Sequence, residues 1–131
     1  MPRCAPVRRV ILAAVVALAA PALALAQTPR NFPATALRGE IAVIQPPEVA
    51  LNGRPARLAP GARIRNTQNL LTLSGALVGQ AVTVNYTIDP LGLVLDVWIL
   101  TDAERARLPW PTTPEQAAAW RFDPVEQTWS P

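Results

Sequence analysis

Two carboxylates, Asp89 and Asp96, are the residues of this 131-residue sequence whose types and spacing come closest to catalytic chemistry. A pair of carboxylates can hydrolyse a glycosidic bond when about 5 to 9 Å separates them across a cleft. Asp89 precedes a Pro-Leu-Gly turn, and Asp96 lies in the middle of the apolar run that follows. This arrangement, across a turn and along a strand, does not predict such a cleft, and we expect Asp96 to be a structural residue.

Residues 27–131 lack Cys, His, Lys and Met, and these absences exclude most other catalytic chemistry. Without His or Lys the chain has no Ser-His-Asp or Ser-Lys nucleophile and forms no Schiff base. Without Cys or His it has no ordinary zinc, copper, haem or iron–sulfur site. We therefore expect no catalytic residue, no metal site and no cofactor, and a protein that is not an enzyme.

Four arginines form a candidate binding motif. Arg54, Arg57, Arg63 and Arg65 lie within twelve residues, and the planar guanidinium group pairs well with phosphate. They predict a contact with an anionic envelope partner, such as a lipid phosphate or an acidic protein. The alternative interpretation is a half-buried strand with a solvated basic face, because Arg63 and Arg65 alternate with apolar residues.

Tyr86, Asp96, Trp98 and Trp110 complete the candidate binding residues. All four tryptophans fall in the last third of the chain. They either offer a surface for a sugar or peptide or fasten short helices over an open end of the fold. Trp110 is flanked by two prolines that hold it in a loop, so it is the tryptophan that we expect to be exposed.

The first 26 residues have the features of a cleavable export signal. Arg3, Arg8 and Arg9 precede an apolar run over 10–20, and Ala24-Leu25-Ala26 has the form of a cleavage site. The apolar segment is short for a bilayer core of about 30 Å. We expect a periplasmic protein that begins at Gln27 and keeps no stable membrane span.

Removal of that signal changes the charge balance. Residues 27–131 have nine Arg and nine Asp plus Glu, so no net charge attracts nucleic acid. Residues 27–80 hold six Arg and two Glu, a formal +4, whereas 81–131 hold three Arg and seven acidic residues, a formal −4. The mature chain is therefore predicted to be strongly dipolar.

Turn residues divide the chain into short strands. An extended lead-in over 27–36, anchored by Phe32, is followed by predicted strands at 37–44 and 48–51, which Pro46-Pro47 separates. Asn52-Gly53 favours a type I′ turn. We then expect a return arm at 54–58, a further turn at Ala59-Pro60-Gly61, a basic-faced strand, an apolar segment at 70–73, and a strong hairpin of 81–88 with 93–100.

The chain changes character after that hairpin. Thr101 with Glu104 and Thr113 with Gln116 both fit a capping box. They predict two short helices, at about 102–107 and 114–120. The last residues, which include Trp129, are predicted to form a tail that packs or frays.

The hairpin after Ile88 has two alternative registers. A loop of Pro90-Leu91-Gly92 pairs Asp89 with Leu93 and sets Asp96 opposite Tyr86, among apolar side chains. A four-residue loop from Asp89 to Gly92 instead sets Asp96 opposite Asn85, on a solvated face. The turn residues favour the first register and the hydrophobic pattern favours the second. We adopt the first because Asp-Pro-x-Gly matches a three-residue loop.

Five to six short strands with helical turns only at the end predict a mainly β fold. We expect a single domain over 37–131, a small OB-like or SH3-like barrel. The run LVGQAVTV, with the hairpin at Gly92, resembles the strand pairs of small OB-like secreted domains. The stretches NFPATALRG, LNGRPARLAPGARIR, DPLGLVLDVWILT and WPTTPEQAA are similar to a group of small exported proteins of Gram-negative bacteria. That resemblance implies a periplasmic location and supplies no active site.

The sequence therefore favours a non-enzymatic binding or accessory module of the cell envelope, with an envelope protein or a small ligand as its partner. Two alternatives come from other classes of protein. One is a carboxylate-dependent hydrolase of envelope polysaccharide that uses Asp89 with Asp96. The other is a structural envelope protein that forms homo-oligomers through its Trp-rich end.

Overall fold

The computed structural model describes residues 29–131; the predicted signal peptide, 1–26, and its cleavage site lie outside the described residues. The predicted mainly β fold with short helical turns near the C-terminus is confirmed. No helix in this range is long and apolar enough to cross a membrane. The strands and helices are, in order, β1 (Leu37–Gln45), β2 (Glu48–Leu51), β3 (Arg54–Arg65), β4 (Leu71–Thr72), a 3₁₀ turn (Ser74–Leu77), β5 (Ala81–Ile88), β6 (Val94–Ile99), α1 (Asp102–Arg105), α2 (Pro114–Ala119), β7 (Arg121–Asp123) and β8 (Thr128–Ser130).

Five of the strands close into a small barrel. β1 pairs with β2 and β5, β2 with β3, and β5 with β6, all antiparallel, and a parallel pairing of β3 with β6 completes the barrel. Side chains alternate between the two faces of each strand, so every second position can fill a barrel of this size. The buried interior side chains are Leu37, Ile41, Val43, Val49, Leu58, Ile64, Val84, Tyr86, Val94 and Val97.

The β2–β3 connection is the type I′ turn that the sequence predicts. Asn52 and Gly53 have positive φ angles of 53° and 76°, and this turn matches the right-handed twist of the flanking strands. The Asn52 N–H also donates to the carbonyl of Glu40 at 2.8 Å. The turn is therefore tied to β1 as well as to its own strands.

The prediction that Ala59-Pro60-Gly61 reverses the chain is wrong. β3 runs continuously through these residues, and its register against β6 shifts between Leu58 and Arg63. Proline has no N–H to donate, and Gly61 has a φ of 78°, so both residues suit an irregularity inside a strand. As a result, residues 54–57 pair with β2, whereas the later part of β3 pairs with β6 and β4.

The loop of the β5–β6 hairpin follows the first predicted register. The Asp89 N–H donates to the carbonyl of Leu93 at 2.8 Å, which leaves Pro90-Leu91-Gly92 as the loop. Gly92 has a φ of 81°, which a glycine adopts without steric cost. The preference for the Asp-Pro-x-Gly turn is thereby confirmed.

The predicted position of Asp96 within that hairpin is wrong. Between the pairs Ile88–Val94 and Tyr86–Val97 the register shifts by one residue. Two residues of β6, the second of them Asp96, therefore face one residue of β5, which is the pattern of a β-bulge. Asp96 lies opposite neither Tyr86 nor Asn85, because a single hairpin loop fixes the register only as far as the next bulge.

A second core lies on the outer face of the barrel. Both predicted helices are present, and α1 has the full capping box between Thr101 and Glu104. The end of the chain packs as the β7–β8 hairpin, which the sequence pattern does not predict. We call this second core the aromatic cluster. Its buried members are Phe32, Ala36, Leu100, Trp110 and Trp129, and the side chains of Trp98, Ala117, Trp120 and Phe122 pack against them.

Candidate functional site

β4 is an edge strand whose backbone is open on one side. It pairs with β3 through Ile64 with Thr72 and Arg65 with Leu71, and it ends the order β2-β1-β5-β6-β3-β4. Four of the barrel strands have two neighbours in the described sheet and β3 has three, whereas β4 has one. An edge strand presents unpaired N–H and C=O groups to which another extended chain can bond.

Exposed leucines surround this edge. Leu70 is 63% exposed, Leu71 is 69% exposed and Leu73 is 82% exposed. Single exposed apolar side chains are ordinary, but a run of them on a free edge is typical of an interaction site. Leu73 also keeps an extended backbone, with φ −78° and ψ 139°, but its carbonyl accepts from the Ala76 N–H at 3.1 Å, so the open edge ends at this residue.

Two arginines lie beside these leucines on the outer face of the sheet. Residues that pair across two strands point to the same face, so Arg65 shares its face with Leu71. Arg63, two residues before Arg65, lies on that face as well. We call Arg63, Arg65, Leu71 and Leu73 the edge patch.

The cations of the edge patch have no acidic partner among residues 29–131. Three ion pairs form in that range, Arg30–Glu104, Arg57–Glu48 and Arg105–Asp102, and none includes Arg63 or Arg65. Arg63 pairs through its backbone register with Asp96, and Arg65 with Trp98, without an ion pair. The edge patch therefore combines an open backbone edge, apolar side chains and positive charge.

A shallow groove of about 400 Å³ lies on the other side of the same edge. Thr72 and Ile64, which pair across β4 and β3, contribute to it together with the Pro46-Pro47 connection, and Leu73 of the edge patch also lines it where β4 ends. A strand added to β4 would thus place one set of alternate side chains beside the edge patch and the other set toward this groove.

The other two candidate arginines occupy a different part of the barrel. Arg54 and Arg57 belong to the half of β3 that pairs with β2. The Arg57 Nε lies 3.6 Å from the carboxylate of Glu48, on an exposed surface. The predicted cluster of four arginines is therefore divided into two pairs by the irregularity in β3.

Tyr86 lies in the barrel interior and is not part of the edge patch. Its side chain is only 5% exposed. Burial raises the pKa of the phenol, and the nearby polar side chain of Asn52 opposes that rise only in part. The hydroxyl thus stays protonated in the folded protein.

The two candidate carboxylates have different structural roles. Asp89 Oδ1 accepts hydrogen bonds from the N–H groups of Leu91 and Leu93, at 2.9 and 2.8 Å, and so shapes the loop. Asp96 is half-buried; its N–H donates to Thr87 Oγ1, and the Thr87 hydroxyl donates to its carboxylate at 3.4 Å. Both carboxylates have local contacts that account for their presence in this hairpin.

The prediction that Trp110 is exposed is wrong. It is 3% exposed, and its Nε1–H donates to the carbonyl of Ala36 at 3.0 Å. Phe32 lies edge-on to both Trp110 and Trp98, with ring centroids 5.8 and 5.5 Å apart. The flanking prolines shape a buried segment here, because packing of the Trp110 ring against the other aromatic rings is more favourable than its exposure to water.

Arg38 is a prominent residue that the sequence pattern does not single out. It is 7% exposed, its Nε donates to Asn85 Oδ1 at 2.8 Å, and its two Nη groups donate to the carbonyls of Glu104 and Arg105. Burial lowers the pKa of this guanidinium, and the charge of Glu104 opposes the shift. All of these contacts are internal, so Arg38 holds α1 against the barrel. In the sequence, only the alternation of side chains along β1, next to Gly39, bears on Arg38, and it indicates an outward-facing strand residue without showing that the residue is buried.

Comparisons of the chain with family models, curated proteins and solved structures found no match. Among residues 29–131, no three His, Cys, Asp or Glu side chains come together in a way that could hold a metal ion. The candidate site therefore depends on the geometry of the edge patch itself.

Proposed function

We propose that this protein is a non-enzymatic accessory module of the bacterial periplasm that binds an extended, acidic segment of an envelope protein along β4. The observation that carries the proposal is the free edge of β4 beside two guanidinium groups that lack acidic partners in the described chain. The export-signal pattern over 1–26 supports the compartment.

The geometry favours strand addition as the mode of binding. In this mode, main-chain hydrogen bonds supply affinity, and pockets for alternate side chains supply specificity. β4 offers the backbone, and the groove that contains Thr72 and Ile64 offers the pocket on one face. The edge is short, so the bound segment gains the rest of its affinity from side chains.

Charge complementarity determines the class of the partner. A strand next to β4 would have its outward side chains beside Leu71 and Leu73 and would lie about 10 Å from β3, two strand spacings, a gap that the long Arg63 and Arg65 side chains can bridge only to long acidic side chains. Carboxylates at these positions would accept from the guanidinium groups, and lysines would be repelled. The partner segment therefore alternates acidic residues with apolar ones.

The proposal is tested with synthetic peptides of about eight residues, which is long enough for a typical strand. One peptide alternates Glu with Val, a second alternates Lys with Val, and a third carries a central proline in the Glu–Val sequence. Backbone amide shifts are followed by NMR on the folded chain that begins at residue 27. We expect saturable shifts at residues 70–73 with the Glu–Val peptide and none with the others, because proline removes an N–H from the new ladder.

A charge-reversed variant provides the matched control. Arg63→Glu with Arg65→Glu is expected to weaken the Glu–Val peptide about tenfold or more, since two attractive pairs become repulsive. Arg57→Glu with Arg121→Glu makes the same change in net charge away from the edge patch and is expected to leave binding intact. Equal losses in the two variants, equal binding of the Lys–Val peptide, or self-association through residues 70–73 would each overturn the proposal.

A further inference from the structure

The backbone of β4 directs the hydrogen-bonding groups of one residue, Leu71, toward the open edge. The Asn66 N–H donates to the carbonyl of Leu70 at 2.8 Å, where β4 begins to pair with β3. Hydrogen-bonded and non-hydrogen-bonded residues alternate in an antiparallel pair, so Thr72 is bonded to β3, whereas Leu71, opposite Arg65, is not. The N–H and C=O groups of Leu71 therefore point away from β3.

Leu73 adds one more outward group and ends the open edge. Its N–H points the same way as that of Leu71, two residues earlier, and donates to no acceptor within residues 29–131. Its carbonyl already accepts from the Ala76 N–H. At the other end of β4, both backbone groups of Leu70 are bonded to Asn66. The edge therefore presents a donor and an acceptor on Leu71 and a single donor on Leu73.

This pattern of groups favours one direction for an added strand. In antiparallel pairing, a single partner residue exchanges both hydrogen bonds with Leu71, and the carbonyl two residues before it accepts from the Leu73 N–H. In parallel pairing, the two bonds to Leu71 come from different partner residues, are slanted and are slightly weaker. An edge whose complete donor–acceptor pair lies on one residue is thus better matched by an antiparallel strand.

We infer that the acidic segment runs antiparallel to β4, with one glutamate exchanging both main-chain hydrogen bonds with Leu71 and the glutamate two residues earlier accepting from the Leu73 N–H. This inference rests on the proposed function. Residues that pair across two strands face the same side, so the bonded glutamates have their side chains on the outer face, with Leu71 and Arg65. The residue between them faces the groove and directs its N–H to solvent. The docking motif is therefore Glu-apolar-Glu, and its glutamates form the main-chain bonds.

N-methylation separates the two sets of amides in the Glu–Val peptide. Methylation of every glutamate nitrogen removes the N–H that bonds to Leu71 and places a methyl group against the edge, so the saturable shifts at residues 70–73 are expected to disappear. Methylation of every valine nitrogen keeps that N–H and places the methyl groups in solvent. The Kd of this second peptide is expected to stay within about threefold of the unmodified one, less than the effect of one hydrogen bond. The same reasoning assigns the disabling proline of the third test peptide to a glutamate position.

A nitroxide label on the peptide measures its direction independently. An antiparallel strand has its N-terminus beside the end of β4, because β4 runs from Leu71 to Thr72 and on to the 3₁₀ turn. A label on the peptide N-terminus is therefore expected to broaden the amide signals of Ser74 and Gly75 more than those of Gln68 and Asn69. A label on the C-terminus is expected to do the reverse.

Two variants of Leu73 test its donor. The φ of −78° at this residue is within the range of proline, and the Leu73 N–H has no bond within residues 29–131 to lose. Leu73→Pro and Leu73→Ala both remove the exposed side chain, but only the first also removes the N–H. Leu73→Pro is therefore expected to bind the Glu–Val peptide about fivefold more weakly than Leu73→Ala, the net effect of one hydrogen bond.

The outcomes distinguish this inference from the proposed function. If the valine-methylated peptide loses binding while the glutamate-methylated one keeps it, if the labels show the opposite direction, or if the two Leu73 variants bind equally, the inference is wrong and strand addition at β4 stands. If the unmodified Glu–Val peptide gives no saturable shifts at residues 70–73, strand addition itself is wrong and the inference fails with it.

Discussion

Arg30 and Glu104, 74 residues apart in the chain, form a two-pronged ion pair in which the Arg30 Nε and Nη2 donate to separate carboxylate oxygens at 2.9 and 2.5 Å. The same guanidinium donates to the carbonyls of Asn66 and Ile99 at 2.9 and 2.7 Å. The two side chains are 8% and 9% exposed. This pair ties the N-terminal lead-in to α1 and to the end of β6.

Removal of either partner is expected to destabilise the protein strongly. Arg30→Ala or Glu104→Gln leaves a buried charge without its partner, a change that costs about 3 to 5 kcal/mol of unfolding free energy. Urea denaturation followed by tryptophan fluorescence measures the loss. The control is Asp102→Asn, which removes the exposed pair between Asp102 and Arg105 and is expected to cost less than about 1 kcal/mol. A loss of unfolding free energy in Asp102→Asn as large as that in Arg30→Ala or Glu104→Gln would contradict the role assigned to the Arg30–Glu104 pair.

The same pair makes stability depend on acid pH. Burial pushes the pKa of Glu104 upward, but hydrogen bonds from Arg30 and Thr101 and the charge of Arg30 outweigh burial, so the pKa falls below its ordinary value of 4.5. A carboxyl whose pKa is lower in the folded state than in the unfolded state stabilises the fold above the unfolded-state pKa. That stability is lost as the pH falls through the folded-state pKa.

We therefore expect the unfolding free energy of the parent to decrease as the pH falls below about 4.5, and that of Glu104→Gln to decrease less over the same interval. Urea titrations at a series of pH values provide the comparison. Parallel curves for the two proteins would show that other carboxyls carry the acid response.

Local sequence signals predicted much of this fold. Asn52-Gly53, Asp89-Pro-x-Gly92 and the Thr101 capping box each specify a geometry through a few neighbouring residues, and all three geometries are present. Closure of the strands into a barrel followed from their number and spacing.

Features that depend on distant contacts were not predictable in the same way. The Ala59-Pro60-Gly61 segment contains ordinary turn residues, and only its pairing with β2, β6 and β4 makes it part of one strand. The burial of Trp110 depends on Phe32 and Trp129, which lie far away in the chain. For the candidate site, the sequence identified Arg63 and Arg65 as a basic face, but the order of the strands shows that Leu71 and Leu73 lie on a free edge.

Gly39 is expected to tolerate no side chain. A Cβ at this position would meet Asn52 Oδ1 at 2.8 Å and Tyr86 Cε1 at 2.9 Å, and both atoms belong to a fixed turn or a buried ring. Gly39→Ala should cost about 1 to 3 kcal/mol of stability, the usual range for overpacking. Gly75→Ala is the control, because a Cβ there meets nothing within 4 Å. Thermal melting of both variants decides the point, and equal melting temperatures would contradict the close packing at Gly39.

The two hairpin carboxylates are expected to differ in their effect on stability. Asp89→Ala removes an acceptor for two backbone N–H groups of the loop and should cost about 1 to 3 kcal/mol. Asp96→Asn keeps a side chain that can bond to Thr87 on a half-buried surface and should change stability by less than about 0.5 kcal/mol. Chemical denaturation of both variants tests the order. A larger loss at Asp96 would show that its charge is required in the folded protein.

Substitution of tryptophan by phenylalanine at two buried positions of the aromatic cluster measures how much an indole N–H hydrogen bond contributes to stability. Trp110 Nε1 donates to the carbonyl of Ala36, whereas Trp129 Nε1 is buried without a hydrogen-bond partner in the described chain. Trp110→Phe and Trp129→Phe lose similar apolar area, but only the first also leaves the Ala36 carbonyl without this donor.

We therefore expect Trp110→Phe to cost about 1 to 2 kcal/mol more than Trp129→Phe, because removal of one hydrogen-bond partner leaves the other group buried and unsatisfied. The second substitution removes an unpaired donor, and this gain offsets part of its packing loss. Urea denaturation monitored by far-ultraviolet circular dichroism gives both free energies without relying on tryptophan emission. If Trp129→Phe is the more damaging change, the Trp110 hydrogen bond does not hold the lead-in to the cluster.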